Sequence, residues 1–154
     1  MEVRTILWPT DLSKNSIKAA KNVESLAEKY QAKVILLYVG TDLMSHFGAY
    51  GEPTPEYLQH FQKWETEHAR KKLESVCQKE LKACPAIEVR LVQGDAATEI
   101  MKAIEKEKAD LVVISTHGRG AENVDQITAE FGSVAKKVIA KSPVPVHLVN
   151  PLKR

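Results

Sequence analysis

Apolar residues form short continuous runs at several places in the chain. The clearest is 111–114 (LVVI), which is apolar at every position and β-branched at three of them. A strand with one exposed face would alternate apolar and polar residues, so this run indicates a strand buried on both faces. Residues 33–39 (KVILLYV) have the same character. The pattern as a whole predicts five strands, at residues 3–8, 33–39, 87–92, 111–114 and 146–149.

The segments between these runs carry apolar residues at the spacing of amphipathic helices. Ser13 is suited to cap the first helix and Asp95 the third, while Gly132 and Ser133 open the fourth. The second helix is long, spanning about residues 56–83. The residues expected to face the core are Ala19, Val23, Leu26, Ala27, Tyr30, Leu58, Phe61, Leu73, Val76, Leu81, Ala97, Ile100, Met101, Ile104, Val134, Val138 and Ile139.

Strands and helices alternate along the whole chain. Pro143 and Pro145 end the last helix and fix the entry to the last strand. Strands joined by helical crossovers run parallel, with helices covering the sheet. The sequence therefore predicts an α/β fold, an open five-stranded parallel sheet with helices on both faces, Rossmann-like, in strand order 3-2-1-4-5. Because no internal repeat or low-complexity linker interrupts it, residues 1–154 are predicted to form a single domain.

Composition and charge narrow the class of protein. A chain of 154 residues with 44% hydrophobic and 27% charged residues is typical of soluble globular domains. A net charge of +2, with basic residues scattered, argues against nucleic acid as a partner. The apolar runs are too short for a signal peptide or a bilayer span. Cys77 and Cys84, seven residues apart near one helix end, are expected to be reduced thiols, which favours a cytoplasmic protein.

The predicted topology places a ligand crevice where the strand order reverses, between the first and fourth strands. The segments that reach it are Pro9-Thr10-Asp11, the loop at residues 115–120 and the end of the second strand near Val39. The fourth helix begins at Gly132-Ser133, and free N–H groups and the helix dipole favour an anion at such a terminus. Each feature also has a plain structural interpretation. Asp11 would be a turn residue and Gly132-Ser133 an ordinary helix start.

Histidines and tryptophans give no independent sign of chemistry. His60 and His68 share a helix but lie about 12 Å apart by helix rise, too far for one metal ion, so no metal site is predicted. No nucleophile or orienting motif accompanies His117, which favours a structural role. Trp64 is expected to pack rather than to recognise a partner, and Trp8 to pack at the top of the sheet.

The segment at residues 40–55 is the longest irregular stretch and contains Phe47, Tyr50 and two prolines. Loops of this length in compact domains are usually functional. We expect it to form a lid or a surface that faces a partner.

Four short motifs, in the order and on the elements described above, resemble those of the universal stress protein family. The resemblance covers essentially the whole chain. The motifs are Pro9-Thr10-Asp11-Leu12-Ser13, Thr116-His117-Gly118-Arg119, Gly132-Ser133-Val134-Ala135 and Pro143-Val144-Pro145-Val146.

This resemblance implies a stress-response binding or signalling module that dimerises through its last strand. ATP-binding members of the family carry Gly-x2-Gly-x9-Gly-Ser/Thr, and the cofactor expected here on that basis is ATP with Mg. Gly118 matches the second glycine, Gly132 and Ser133 the third glycine and its hydroxyl, Asp11 the adenosine carboxylate, and Val39 the apolar position near the base. The candidate binding residues are Pro9, Thr10, Asp11, Val39, Ser115, Gly118, Arg119, Gly132, Ser133 and Val134.

The chain departs from the ATP-binding motif in two ways. Ser115 stands where the motif has its first glycine, and its Cβ would crowd a close approach. Thirteen residues, not nine, separate Gly118 from Gly132. The longer loop carries Glu122, Asp125 and Glu130, whose charge would repel phosphates, and Arg119 is either a phosphate partner or a solvated loop residue. A nucleotide-binding module and a dimeric module without nucleotide therefore both remain open.

A small nucleotide hydrolase on the same fold is the rival from another class, because fold does not settle function. The chain lacks the Gly-x4-Gly-Lys-Ser/Thr of a P-loop, so at most weak ATPase activity is expected. The last strand lies at an edge of the predicted sheet and carries Val144, Val146 and Leu148. An edge invites pairing, so a homodimer through that strand is predicted.

Overall fold

The computed structural model describes residues 1–40, 51, 54–117 and 131–152. Five strands and five helices follow one another in these ranges. They are β1 (Thr5–Thr10), α1 (Lys14–Ile17), α2 (Ala20–Tyr30), β2 (Lys33–Gly40), α3 (Pro55–Glu80), β3 (Ala86–Gln93), α4 (Ala96–Lys106), β4 (Leu111–Ser115), α5 (Ser133–Lys141) and β5 (Val146–Val149).

The strands form one parallel sheet in the order β3-β2-β1-β4-β5, which confirms the predicted fold class and strand order. β1 pairs with β2 along its whole length, from Thr5 opposite Lys33 to Thr10 opposite Tyr38. β5 pairs with β4 and forms one edge of the sheet, and β3 forms the other. Within the described residues, no helix is long and apolar enough to cross a membrane.

The core consists of two apolar layers, one on each face of the sheet. Ile6 and Trp8 point into the layer beneath α2 and α3, whereas Leu7 points into the layer beneath α4 and α5. Successive strand residues face opposite sides, so a strand covered by helices on both faces must be apolar at every position. Burying one such side chain stabilises the fold by about 1.5–3 kcal/mol. This double covering is the physical cause of the continuous apolar runs in the sequence.

The helix predicted after the first strand is two helices. The side chain of Ser13 accepts a hydrogen bond from the Ser16 backbone N at 3.1 Å, so the predicted N-cap is confirmed. However, α1 lasts only four residues. The Ala19 N–H bonds to the Ser16 carbonyl, three residues back, at 3.1 Å, and this tighter turn separates α1 from α2.

Helix α3 begins at Pro55 behind a Thr54 cap and ends at Glu80, earlier than predicted. Leu81 leaves the helical conformation, and a turn closed by the Cys84 N–H on the Leu81 carbonyl returns the chain to the core. Cys84 therefore lies beyond α3 instead of on it, and both cysteines are free thiols.

Several predictions of core positions are wrong. Leu58 and Phe61 are only half-buried, and Tyr30 and Ile139 are exposed. Trp64, which was expected to pack, is 56% exposed, whereas Trp8 is fully buried as predicted. Helical spacing identifies an apolar stripe but not the length over which another element covers it, and that length is limited here by the shorter strands beneath α3.

Candidate functional site

The ladder between β1 and β4 is much shorter than the ladder between β1 and β2. It joins only Ile6 to Leu111 and Leu7 to Val112. The Arg4 carbonyl accepts a hydrogen bond from the Lys33 N–H at the start of β2, and the Thr5 carbonyl accepts one from the N–H of Asp110, the residue before β4. Backbone polar groups alternate between neighbours along a strand, so the position of Pro9 faces β4.

Pro9 has no N–H to donate to β4, and this accounts for the end of the β1–β4 ladder. Pro9 and Thr10 remain in β1 through their pairing with β2, although the sequence predicted a strand end at Trp8. The carboxyl ends of β1 and β4 therefore lie side by side without ladder bonds, at the point where the strand order reverses. In open parallel sheets, ligands bind in the crevice at this position.

Buried polar side chains concentrate at this point. Every buried polar side chain within the described ranges belongs to the end of β1, the first turns after it, or the end of β4. Burying a polar group costs free energy unless it is hydrogen-bonded, so such a cluster requires a specific network or a ligand. The cluster consists of Thr10, Ser13, Asn15, Ser16, Ser115, Thr116 and His117.

Hydrogen bonds fix the chain between β1 and α1. The hydroxyls of Thr10 and Ser16 lie 2.7 Å apart, and Thr10 Oγ1 also accepts from the Leu12 N–H at 3.0 Å. Asp11 Oδ1 accepts from the Ser13 N–H at 2.9 Å, which gives this carboxylate a turn-forming role. Leu12 has a φ of 63°, a left-handed conformation that these bonds sustain.

Ser115 faces α1. It lies on the same side of β4 as Val113, and its hydroxyl donates to the Asn15 carbonyl at 3.2 Å. The serine at the motif's first glycine position is therefore part of the fold, because it ties the end of β4 to α1.

Thr116 and His117 continue the buried cluster beyond β4. Thr116 Oγ1 and His117 Nδ1 are 2.8 Å apart, and His117 is only 8% exposed. Among the described residues, no hydrogen-bond partner contacts its Nε2. Burial and the bond to Thr116 fix the His117 ring beside the end of β4.

The start of α5 is held next to this cluster. The Gly132 N–H donates to the Thr116 carbonyl at 2.7 Å, so the helix begins beside the end of β4. Gly132 is the N-cap and has no side chain to cap the first-turn N–H groups. Ser133 is exposed and Val134 is half-buried against the second apolar layer. The described residues of α5 contain no acidic side chain in the first turn.

Glycine at position 132 is not required by the backbone. Its φ is −60°, which any residue adopts. A Cβ built there would lie 3.4 Å from the Thr116 carbonyl oxygen, an ordinary contact. Glycine at this position therefore relieves no backbone strain. Its effect is to leave the space in front of the helix open.

Val39 lies near the end of β2, half-buried against the second apolar layer. Its neighbours Tyr38 and Gly40 line a cleft of about 620 Å³ between α3 and the ends of β2 and β3. Tyr38 donates its hydroxyl hydrogen to Glu65 Oε1 at 3.2 Å in this cleft. None of the predicted site residues that the structure describes lines it. Its lining is Tyr38, Gly40, Gln59, Gln62, Lys63, Glu65, Thr66, Glu67, Leu91, Val92 and Gln93.

Two predicted site residues, Gly118 and Arg119, lie outside the described residues, as do the acidic residues Glu122, Asp125 and Glu130. The predicted lid at residues 40–55 falls largely outside them as well. The described residues bring together Thr10, Asp11, Ser115 and the start of α5, and they place Val39 one strand away.

Asn15 and Ser16 belong to the cluster but escaped sequence reasoning. The stretch Ser13-Lys14-Asn15-Ser16 holds three small polar residues and begins two residues after Asp11. Three such residues in one helical turn do not suit the solvent face of a long helix, and that signal could have identified them.

The chain is similar to characterised families and structures over nearly its whole length. A family model described as the universal stress protein family matches residues 2–150. Universal stress protein MJ0531 of Methanocaldococcus jannaschii is 33% identical over 152 residues, which are 98% of this chain and 84% of that protein. The solved structure of the protein MJ0577, from the same organism, has a TM-score of 0.83 at 27% identity and covers both chains completely.

Two more distant structures contain nucleotides. A universal stress protein in complex with cAMP has a TM-score of 0.62 at 20% identity, covering 98% of this chain and 99% of that one. The universal stress protein from Archaeoglobus fulgidus in complex with dAMP has a TM-score of 0.65 at 17% identity, covering 97% and 100%. At these identities the likeness concerns the fold. The family model, however, spans almost the entire sequence, and the chain belongs to the universal stress protein family.

Proposed function

We propose that the chain is a stress-response binding module that holds an adenine nucleotide at the carboxyl ends of β1 and β4. The observation that carries the proposal is the buried polar cluster, which occupies the point of strand-order reversal and no other place among the described residues. The phosphates would lie at the start of α5, where first-turn N–H groups and the helix dipole favour negative charge. The nucleotide complexes of two structural neighbours support an adenine nucleotide as the ligand class.

The direction of the Ser115 side chain leaves room for such a ligand. Because its hydroxyl donates to the Asn15 carbonyl, the side chain is directed at α1 and leaves the start of α5 free of contact with it. The phosphates would then meet Gly132 and Ser133, while Thr10 and Asp11 would face the sugar. Lys136 lies one turn into α5 and adds positive charge near that end.

Thermal unfolding with ATP, ATP and Mg²⁺, cAMP or AMP tests the proposal. A ligand that binds only the native state raises the stability, by about 2.7 kcal/mol at a hundredfold excess over Kd. Gly132→Val places a branched side chain where the phosphates would approach and should abolish the rise. Gly132→Val should still fold, because the backbone at this position is ordinary. The proposal fails if no nucleotide shifts the transition, or if the variant responds as the wild type does.

A dimeric module without nucleotide is the second candidate, and the edge position of β5 favours it. On β5, Val146 is half-buried and Leu148 is 38% exposed, and the outer side of this strand has no neighbour among the described residues. Val144, also half-buried, lies two residues before the strand. Pairing of two such edges would bury these side chains. Dimerisation through β5 and nucleotide binding are compatible with each other, because the start of α5 and the outer edge of β5 are different surfaces. The two candidates differ in whether a nucleotide binds.

A further inference from the structure

His117 holds a buried polar atom that the described part of the chain leaves unpartnered. Its Nε2 has no hydrogen-bond partner there, although the residue is only 8% exposed. Among the described side chains of the buried polar cluster, it is the one nitrogen or oxygen atom that is buried without a partner. Such an atom costs free energy, so native structures keep it where a ligand, an ion or a water completes the bond.

The location of His117 distinguishes it from a second residue of the same kind. Trp8 Nε1 also has no hydrogen-bond partner within the described ranges. The Trp8 ring, however, lies in the apolar layer beneath α2 and α3, on the face of the sheet opposite α5. His117 follows β4 at the point where the strand order reverses, which is where a ligand is expected.

The start of α5 lies next to His117 in space. The Gly132 N–H donates to the carbonyl of Thr116, the residue before His117, at 2.7 Å. Gly132 is the N-cap and has no side chain to accept from the N–H groups of the first turn. Those N–H groups favour an anion such as phosphate. His117 therefore stands one residue from the carbonyl that anchors a set of anion-binding donors.

The bond between Thr116 and His117 determines what Nε2 can offer. Thr116 Oγ1 and His117 Nδ1 lie 2.8 Å apart. When the Thr116 hydroxyl donates to Nδ1, the neutral ring carries its hydrogen on Nε2, and a doubly protonated ring carries one there as well. Nε2 is then a donor that suits a phosphate oxygen. In the opposite tautomer, Nε2 has no hydrogen to donate.

We infer that the Nε2–H of His117 donates a hydrogen bond to the phosphate of the bound nucleotide, while the Thr116 hydroxyl donates to Nδ1. The contact rests on the proposed function, because it requires a nucleotide at the start of α5. Nε2 is itself covered, so the contact forms when neighbouring side chains shift, as is common on binding. Hydrogen bonds to ionised oxygen are stronger than neutral ones, so His117 contributes to affinity for the phosphate and not for the nucleoside.

Affinities for AMP and adenosine, measured by isothermal titration calorimetry, test the contact. His117→Asn keeps a polar atom near the Nδ1 position for the Thr116 hydroxyl, but it has no atom at the Nε2 position. It should weaken AMP binding on the order of 10- to 100-fold and leave adenosine binding unchanged. A purely structural role for His117 would instead weaken the binding of both ligands equally.

Two further variants serve as controls. His117→Gln carries an amide that reaches about as far as Nε2 and offers N–H donors, so it should bind AMP about tenfold more tightly than His117→Asn. His147→Asn makes the same substitution on β5, where His147 pairs with Val113, and should leave both affinities unchanged.

The ¹⁵N resonance of His117 Nε2 in the wild-type protein gives a readout that needs no substitution. It should report a protonated nitrogen with AMP bound and should shift further with AMP than with adenosine. Three results overturn the contact: an unprotonated Nε2 in the AMP complex, equal losses of AMP and adenosine affinity in His117→Asn, or an AMP affinity of that variant within about threefold of the wild-type value. Wild-type protein that binds neither AMP nor adenosine overturns the proposed function, and the contact with it.

Discussion

At the scale of single residues, several positions that the family motif assigns to a ligand also serve the fold. Ser115 binds the Asn15 carbonyl, and Asp11 closes a turn on Ser13. A family motif identifies such positions because they surround the crevice. The motif does not distinguish residues that contact a ligand from residues that form hydrogen bonds within the protein. For Ser115 the role depends on a hydrogen-bond partner a hundred residues away, and the spacing of residues in a sequence does not reveal such a partner.

Ser115→Ala should lower the free energy of unfolding by about 1 kcal/mol, because the Asn15 carbonyl loses the hydrogen bond that the Ser115 hydroxyl donates to it. Urea unfolding followed by circular dichroism measures the change. Ser75→Ala, on a half-buried face of α3, is the control. A loss at Ser115 no larger than at Ser75 would show that the bond to α1 contributes nothing.

Cys84 provides a second test at this scale. Burial raises the pKa of its thiol to about 11, and the carboxylate of Glu24 adds to the shift. Burial also raises the pKa of Cys77. Since the thiolate is the reactive form, iodoacetamide at pH 8 should modify native Cys84 on the order of 100-fold more slowly than an unfolded cysteine. Mass spectrometry with and without urea measures the ratio, and native and unfolded rates within threefold of each other would refute it.

At the scale of elements, the sequence predicts what depends on local periodicity and capping. All five strands lie where the apolar patterns indicate, and Ser13 and Asp95 cap the helices predicted for them. The break between α1 and α2 was missed, because the tighter turn that the Ala19 N–H closes on the Ser16 carbonyl leaves no mark in the helical spacing of apolar residues. The exposed half of α3 was missed because helical spacing does not reveal how far the sheet extends.

The cap of α4 makes a prediction about pH. Asp95 accepts hydrogen bonds from the Thr98 hydroxyl at 2.7 Å and the Thr98 N–H at 3.0 Å, and these bonds hold the pKa of its carboxyl below the ordinary value of 3.8. A depressed pKa means that the carboxylate stabilises the fold above pH 3.8, and that this contribution disappears as the pH falls through the folded value.

Asp95→Asn keeps the capping geometry but removes the charge. The wild type should therefore unfold at a higher urea concentration than Asp95→Asn at pH 7, and the difference between the two midpoints should shrink below pH 3.8. A difference between the midpoints that is the same at pH 7 and pH 3 would mean that the ionised carboxylate contributes nothing.

At the scale of the whole molecule, the parallel sheet assigns different surfaces to different tasks. The carboxyl ends of β1 and β4 form the candidate ligand site, and among the described residues no strand pairs with the outer edge of β5. Topology was predictable because helical crossovers permit few arrangements of five strands. The exposure of Tyr57 and Trp64 on α3 was not predictable, because an apolar helix face has the same sequence pattern whether or not another element covers it.

We predict a homodimer through β5. Val146→Lys combined with Leu148→Lys places charge on the edge that two copies would share, so it should yield a folded monomer or a destabilised chain. Sedimentation measures the mass and circular dichroism the fold. The control is Glu88→Lys, on the opposite edge strand β3, which should leave the dimer intact. Dimerisation of the double variant with wild-type affinity would place the interface elsewhere.

The central claim is that an adenine nucleotide binds at the carboxyl ends of β1 and β4. The most direct measurement is a titration of ¹⁵N-labelled protein with AMP and ATP, following each backbone amide by NMR. The predicted result is a saturable shift that is largest at Thr10–Ser13, at Ser115–His117 and at Gly132–Ala135. The shifts would contradict the claim if they were largest at Gln59, Lys63 and Gln93 in the cleft beneath α3, or if no amide shifted saturably.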